Sequence, residues 1–119
     1  EQYNGSAWTE VNDMNTARSW SGDAGTYTSA IIGGGHPGSG SVPFPNNTES
    51  WDGSSWTETT EINNVRIPGG AASTSNTASL IFGGFLSPPR SADTELWNGS
   101  TWTELNNMGS IGWNYNSSS

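Results

Sequence analysis

The chain has 119 residues, a net charge of −8 at neutral pH and only three Lys and Arg residues, none of them Lys. A surface of this charge repels phosphate backbones, so the composition argues against direct binding of nucleic acid. The absence of Cys excludes disulfides and thiolate metal sites, and no apolar run reaches the length of a transmembrane helix, which argues against membrane insertion.

The first predicted element is a β-hairpin built on an eight-residue phrase that occurs three times. Residues 3–10 return as residues 51–58 and as residues 97–104, each time with Asn or Asp, Gly and Ser between two aromatic residues. Asn-Gly or Asp-Gly in this setting favours a two-residue type I′ turn, in which both central residues have positive φ. Turns are therefore predicted at Asn4-Gly5, Asp52-Gly53 and Asn98-Gly99.

Tryptophan carries the repeat. The second aromatic residue of the phrase recurs after 48 and then 46 residues, a period typical of propeller blades rather than of helical solenoids. Seven Trp residues, most at repeating positions, argue against the disorder that a hydrophobic content of 30% would otherwise allow. We expect them to pack between neighbouring repeats, with stacking on sugars as the alternative. The repeating residues are Trp8, Trp56 and Trp102, and before them in the phrase Trp51 and Trp97.

Two more strands are predicted in each period. Small residues in segments 19–24 and 70–75 favour one strand, and the apolar runs 29–34 and 79–84 favour the next. Each run ends in a Gly pair, Gly33-Gly34 or Gly83-Gly84, that allows close backbone approach or a bulge. Each polar connector between repeats holds one apolar residue, which is expected to plug the gap between them. These residues are Met14, Ile62 and Met108.

The Gly pair after an apolar strand, followed by the aromatic residues of the phrase, resembles the Kelch repeat, and segment 94–105 is the closest stretch. The sequence of the repeated phrase is also similar to that of uncharacterised repeat proteins of marine bacteriophages and bacteria. The resemblance implies an all-β fold of four-stranded propeller blades, with about two and a half repeats of about 47 residues. It is specific for a fold and weak for a function, because propellers host many activities.

The repeat divides the chain into four segments. Residues 1–18 are expected to end a first blade, residues 19–60 and 61–105 to form a second and a third, and residues 106–119 to start another blade or a tail. A ring of this type needs roughly four to eight blades, so the chain is expected not to close alone. The first residues show neither the pattern of a signal peptide nor an initiator Met, so residue 1 is expected to be a processed or cut end.

The acidic residues are explained mainly by the repeat. Glu1, Glu49 and Glu95 share one repeat position, and Glu10, Glu58 and Glu104 share another. A residue that recurs in each repeat serves the repeat, so these six are expected to be solvated or to lie at strand edges. Arg18 and Arg66 also share a position, which favours a recurring contact between Glu and Arg. No pair of carboxylates in contrasting environments is evident, so no catalytic residue is predicted.

The sequence does not indicate a metal site or a catalytic histidine. The one histidine, His36, lies in a Gly- and Pro-rich loop, whereas a metal site needs several ligands in a tight spacing. Some Kelch-type oxidases use a Tyr–Cys cofactor and several His ligands, and this chain lacks them. Neither a metal nor a cofactor is therefore predicted, and His36 is expected to be solvated.

The loops after the two Gly pairs differ in length and chemistry while the strands around them repeat, which is how scaffolds carry recognition. Phe44, Phe85 and Arg90 are therefore candidate ligand-binding residues, with packing against a neighbouring blade as the alternative. Four Asn-x-Ser/Thr triplets would be glycosylation acceptors in a eukaryotic secreted protein, but two of them already have a turn role, so chance is the safer account. They begin at Asn4, Asn46, Asn98 and Asn116.

The sequence thus favours a non-enzymatic structural or recognition module, part of a phage virion-surface or fibre protein or of an extracellular repeat protein. A secreted, lectin-like carbohydrate-binding propeller is the alternative, and a non-catalytic portion of a propeller hydrolase is a weaker one. The expected partners are other copies of the chain or adjoining blades, together with cell-surface glycan. The expected location is extracellular or on the virion surface.

Overall fold

The computed structural model describes residues 1–38, 44–85 and 90–110. Every regular element in these residues is a β-strand, and the prediction of an all-β chain without helix is confirmed for this part of the molecule. The described residues accordingly contain no helix long and apolar enough to cross a membrane.

The strands form three antiparallel sheets, in each of which neighbours in sequence are neighbours in space. Sheet 1 contains β1 (Gln2–Tyr3) and β2 (Trp8–Thr9). Sheet 2 contains β3 (Gly22–Thr26), β4 (Ser29–Gly33), β5 (Thr48–Trp51) and β6 (Trp56–Thr59). Sheet 3 contains β7 (Gly70–Ser75), β8 (Ala78–Phe85), β9 (Arg90–Trp97) and β10 (Trp102–Leu105). The three sheets do not close into a ring.

The repeated phrase adopts one conformation in all three places. Its two aromatic residues face each other across a hairpin, with ring centroids 5.1 Å apart in sheet 1 and 5.3 Å apart in sheets 2 and 3. The pairs are Tyr3 with Trp8, Trp51 with Trp56 and Trp97 with Trp102. Non-hydrogen-bonded aromatic pairs of this kind stabilise hairpins through side-chain contact. The predicted hairpins are therefore confirmed.

The turns differ from the predicted type I′ geometry. Gly5, Gly53 and Gly99 have φ of +99°, +98° and +96°, but in the described residues Trp20 is the one non-Gly residue with positive φ. The Asn or Asp before each Gly uses its side-chain oxygen to accept hydrogen bonds from the N–H groups two and three residues ahead. This side-chain turn places Asn or Asp ahead of the reversal, so only the glycine needs positive φ.

The predicted close backbone approach at the Gly pairs is confirmed, but one of the two pairs lies one residue later than predicted. Gly83 and Gly84 have φ of +58° and +116°, and the matching values of +63° and +113° belong to Gly34 and Gly35. Gly33 is instead an ordinary strand residue of β4. The repeat in the sequence matches Gly33-Gly34 with Gly83-Gly84, which is one residue away from the structural match. The shift arises because β4 ends in Gly33, and residue type alone does not distinguish this strand glycine from the bulge glycines.

The core lies between sheets 2 and 3, which pack face to face mainly through β3 and β7. It contains Ile31 from sheet 2, Ile81, Trp97 and Trp102 from sheet 3, and Ile62 from the connector. Burial of an apolar side chain of this size stabilises a fold by about 1.5–3 kcal/mol. The predicted role of the connector residue as a plug between repeats is confirmed at Ile62, which is 2% exposed.

We predict that the bulge glycines are intolerant of any side chain. A Cβ at Gly84 would lie 2.0 Å from the backbone oxygen of Ile67, whereas a Cβ at Gly5 would meet nothing within 4 Å. Both residues have positive φ, so Gly5→Ala should cost about 1–2 kcal/mol from backbone strain alone. Gly84→Ala adds a clash with main chain and should cost at least about 3 kcal/mol. Urea unfolding measures both values, and equal losses would contradict the prediction.

We also predict that the middle turn contributes a pH dependence of its own. Hydrogen bonds from the N–H groups of Ser55 and Ser54 lower the pKa of Asp52 to about 2. Because its pKa is lowered on folding, the Asp52 carboxylate stabilises the fold above its ordinary pKa of 3.8, and this contribution is lost as the pH falls towards 2.

Asp52→Asn keeps the acceptor, as Asn4 and Asn98 do at the equivalent positions. The stability difference between the two proteins should therefore change between pH 5 and about pH 2, in favour of the variant at low pH. Parallel urea-unfolding stabilities across this range would show that the turn does not depend on the charge.

Candidate functional site

Buried ion pairs occupy the position at which the sequence places a recurring Glu and Arg. Arg18 Nη2 lies 2.7 Å from Glu49 Oε1, and both side chains are fully buried. The other carboxylate oxygen, Oε2, accepts hydrogen bonds from the backbone N–H and the side-chain amide of Asn15 at 2.7 and 3.0 Å. The Thr16 N–H donates to Oε1 at 3.0 Å. The carboxylate is thereby held by one connector.

The same arrangement recurs one repeat later. Arg66 Nη1 lies 2.5 Å from Glu95 Oε1, again with both side chains fully buried. The backbone N–H and the side-chain amide of Asn63 donate to Oε2 at 2.7 and 2.9 Å, and Asn64 N–H donates to Oε1 at 3.3 Å. Arg66 Nε also donates to the carbonyl of Gly83, the first bulge glycine of sheet 3.

The predicted contact between Glu and Arg is confirmed, but the predicted solvation of Glu49 and Glu95 is wrong. Both are fully buried because the connector supplies enough donors to replace water around each carboxylate. Burial raises the pKa of Glu49, but the hydrogen bonds of Asn15 and Thr16 and the charge of Arg18 outweigh it, and the pKa is lowered overall. A carboxylate engaged in this way is held in its charged form.

The second set of repeating carboxylates behaves as predicted. Glu10, Glu58 and Glu104 are all exposed. Within the described residues no group of three or more His, Cys, Asp and Glu side chains is placed to hold a metal ion.

An aromatic cluster lies where the chain enters sheet 2. The ring of His36 lies 5.5 Å from the ring of Trp20 in an edge-on contact, and 5.5 Å from the ring of Phe44 on its other side. We call these three residues the aromatic shelf. A short antiparallel bridge holds the segments of Trp20 and His36 together, in which Ser19 and His36 exchange backbone hydrogen bonds of 2.9 and 2.7 Å.

Trp20 is the unusual member of the aromatic shelf. It has φ of +53°, and its side chain is exposed, with 72% of the residue surface accessible. A bulky side chain with positive φ is strained, and such strain persists where the surroundings over-determine it, often at functional positions. The strain here presents an indole to solvent rather than burying it.

His36 is half-buried, so the prediction of a solvated loop residue is only partly correct. Its Nδ1 accepts a hydrogen bond of 3.1 Å from the N–H of Gly38. The acceptor at Nδ1 assigns the proton of the neutral ring to Nε2. The ring therefore offers a hydrogen-bond donor beside the two aromatic faces.

The structure places the predicted ligand-binding residues in two neighbouring positions. Phe44 belongs to the aromatic shelf, whereas Phe85 and Arg90 end β8 and begin β9, where they pair with each other. They are therefore strand residues rather than loop residues, because sheet 3 extends further than the sequence suggested. The loop between them, residues 86–89, lies outside the described residues.

Backbone contacts connect the two positions. Gly35 N–H donates to the carbonyl of Arg66 at 3.1 Å, and the next residue, Ile67, exchanges two hydrogen bonds of 2.9 Å with Phe85. The aromatic shelf and the Phe85–Arg90 end of sheet 3 therefore lie on one end of the molecule. Sequence reasoning missed Trp20, although it is a Trp outside the repeat: the equivalent position one repeat later holds Pro68.

In comparisons with known proteins, no family model matches the chain and no curated protein matches it significantly.

We predict that Glu49 is far more important for stability than the exposed carboxylates. Glu49→Gln removes the charge opposite a fully buried Arg18 and should cost about 3 kcal/mol or more, the range for breaking a buried pair. Glu58→Gln is the matched control on the neighbouring strand and should cost about 0.5 kcal/mol or less, since Glu58 is exposed. Urea unfolding of both variants gives the comparison, and a Glu49→Gln protein as stable as Glu58→Gln would contradict it.

Proposed function

We propose that the chain is a non-enzymatic recognition module of propeller type, and that it binds a saccharide through the aromatic shelf. The observation that carries this proposal is Trp20, a strained and solvent-presented indole held against His36. Further support comes from the repeated sheets, from the neighbouring Arg90 and from the hydrogen bonds that engage the buried carboxylates.

The architecture supports the propeller part of the proposal. Sheets 2 and 3 are four-stranded meanders of the same strand order, and they pack face to face. Stacked four-stranded meanders at a period of about 47 residues are what propeller blades consist of. On this proposal residues 19–60 and 61–105 are two blades, residues 1–18 end the blade before them, and residues 106–119 follow.

The chemistry of the aromatic shelf favours a sugar. Aromatic faces pack against the apolar C–H faces of a pyranose, and polar groups at their edge bind its hydroxyls. His36 Nε2 supplies such a donor, and the guanidinium of Arg90 lies on the same end of the molecule. A neutral or acidic sugar fits this combination, because Arg binds both hydroxyl and carboxylate oxygens.

The buried carboxylates support a non-enzymatic role. Each oxygen of Glu49 and of Glu95 accepts hydrogen bonds from a connector or an Arg. A glycosidase needs two carboxyl groups that flank a substrate, one of them with a raised pKa. Glu49 instead has a lowered pKa. A display context, on a virion or outside a cell, is supported by the resemblance to phage and bacterial repeat proteins and by the lysine-free, acidic composition.

The test is a glycan array followed by titration of a positive glycan, monitored by the fluorescence of Trp. Trp20→Asn removes the indole but tolerates the left-handed backbone, because Asn is enriched there. We expect it to weaken binding at least about tenfold, as removal of a central aromatic anchor does. Phe44→Leu should weaken binding to a smaller degree.

Tyr27→Ser is the matched control. Tyr27 is a similarly exposed aromatic residue, at 67%, but it follows the other end of β3. Its loss should leave glycan binding unchanged. Equal binding by the wild type and Trp20→Asn, with both folded, would overturn the proposal, as would an array without any positive glycan.

A further inference from the structure

Sheets 2 and 3 contribute different kinds of residue to the contact between them. Sheet 3 contributes Trp97 and Trp102, and sheet 2 contributes Ile31 and the buried Thr48. The indole N–H of Trp102 donates to Oγ1 of Thr48 at 3.1 Å. The aromatic pair of one sheet is therefore seated on the Ile and Thr side of the sheet before it.

Sheet 3 presents a second copy of that Ile and Thr side on its outer face, on which none of the other described sheets packs. The register of the two sheets makes Thr94 equivalent to Thr48, because each pairs with the last residue of the next strand, Leu105 for Thr94 and Thr59 for Thr48. Three leucines lie on this face, and two of them take the positions of smaller and more polar residues on the covered side. The three are Leu80 for Ile31, Leu96 for Ser50 and Leu105 for Thr59.

This open face of sheet 3 is more apolar than its covered counterpart. Leu96 is 41% exposed and Leu105 is 43% exposed. Leu105 borders an open hollow of about 640 Å³, which is also lined by Leu80, Thr94, Glu104 and Asn106. A contiguous apolar face of this kind on a strongly charged chain indicates an interaction surface.

Sheet 1 presents the complementary aromatic side, and among the described sheets none packs on it. Tyr3 is 48% exposed and Trp8 is 67% exposed, although their ring pair has nearly the same geometry as the buried pair of sheet 3. The interplanar angles are 36° and 41°. The molecule thus carries both halves of its own internal contact, one on each outer side.

We propose that the open face of sheet 3 binds sheet 1 of a second copy of this chain, head to tail. Trp8 of the second copy takes the place that Trp102 has inside the molecule and donates its indole N–H to Oγ1 of Thr94. Its ring covers Leu96 and Leu105. The interface is heterologous, because each copy uses a different surface on its two sides.

A recurring connector bond supports the same docking. Asn12, after sheet 1, donates to the carbonyl of Ser54 in the turn of sheet 2 at 2.6 Å. Thr60, after sheet 2, donates to the carbonyl of Ser100 in the turn of sheet 3 at 2.8 Å. Asn106 has this position after sheet 3, and Ser6 of the second copy would present the equivalent carbonyl.

Electrostatics opposes this association. Each copy has a net charge of −8, so two copies repel each other at low ionic strength. Salt shortens the range of that repulsion to about 10 Å at 0.1 M. The association should therefore strengthen as salt is added, unlike association between oppositely charged surfaces. This docking does not depend on the saccharide proposal, since it uses neither Trp20 nor Phe44.

The experiment is sedimentation velocity of the 119-residue chain over a range of concentrations at low and at 0.5 M salt. The wild type should form species heavier than the 12.6 kDa monomer, and more of them at high salt. Trp8→Ala and Leu105→Glu each destroy one side of the interface, and each should weaken association at least about tenfold. Tyr27→Ser, another exposed aromatic substitution, should leave it unchanged.

An equimolar mixture of the two interface variants tests the head-to-tail arrangement. Trp8→Ala keeps the face of sheet 3, and Leu105→Glu keeps sheet 1, so one intact interface can form between them. The mixture should give a complex of twice the monomer mass and nothing larger. Circular dichroism and urea unfolding check that both variants remain folded, and Leu96→Glu is the second variant for the face of sheet 3.

Three results would overturn the proposal. The first is a wild type that stays monomeric at 0.5 M salt and at 100 μM protein. The second is an oligomer whose association is unaffected by the substitutions on both sides. The third is a mixture in which the two variants do not combine although the wild type associates. Glycan binding by Trp8→Ala at wild-type strength would show separately that the aromatic shelf does not depend on assembly.

Discussion

The structure depends on burying an ion pair in each four-stranded sheet and on supplying its carboxylate with hydrogen bonds from one connector. Moving a carboxylate and a guanidinium out of water costs several kcal/mol per ion unless good geometry and further hydrogen bonds compensate. At Glu49 the compensation comes from Arg18 and from the N–H groups of Asn15 and Thr16. These three residues are consecutive or nearly so in the chain. The ion pair therefore determines the path of the connector.

The path of the connector in turn determines how the sheets stack. Arg66 reaches from the connector to Glu95 on β9 and to the carbonyl of Gly83 at the bulge of β8. Four residues before it, Ile62 is directed between sheets 2 and 3, where it completes the apolar core. A polar anchor and an apolar plug on one short segment thus hold neighbouring sheets at a single spacing. This arrangement does not use the residues at the ends of the sheets, so side chains there can serve other purposes.

The functional proposals use what the stacking leaves exposed. The outer sides of sheets 1 and 3 carry the two halves of an interface that the molecule already contains, and the entrance to sheet 2 carries the aromatic shelf. The first set follows from the repeat and concerns assembly. The second departs from the repeat, at Trp20 and His36, and concerns recognition. Because the two sets share no residue, assembly and ligand binding can be separated by substitution.

The sequence by itself determined the strands, the hairpins and the stacking unit, because these depend on local chemistry that repeats. Asn or Asp before Gly between aromatic residues specifies a reversal at short range, and short apolar runs specify buried strands. Only the tertiary structure decided that Glu49 and Glu95 are buried, since their environment comes from residues about 30 positions away. It also decided the aromatic shelf, which forms because a backbone bridge joins Ser19 to His36 and places Trp20 beside a loop distant in sequence. The repeat indicates which residues recur together, but only the packing of the chain decides which of their side chains are buried and which face solvent.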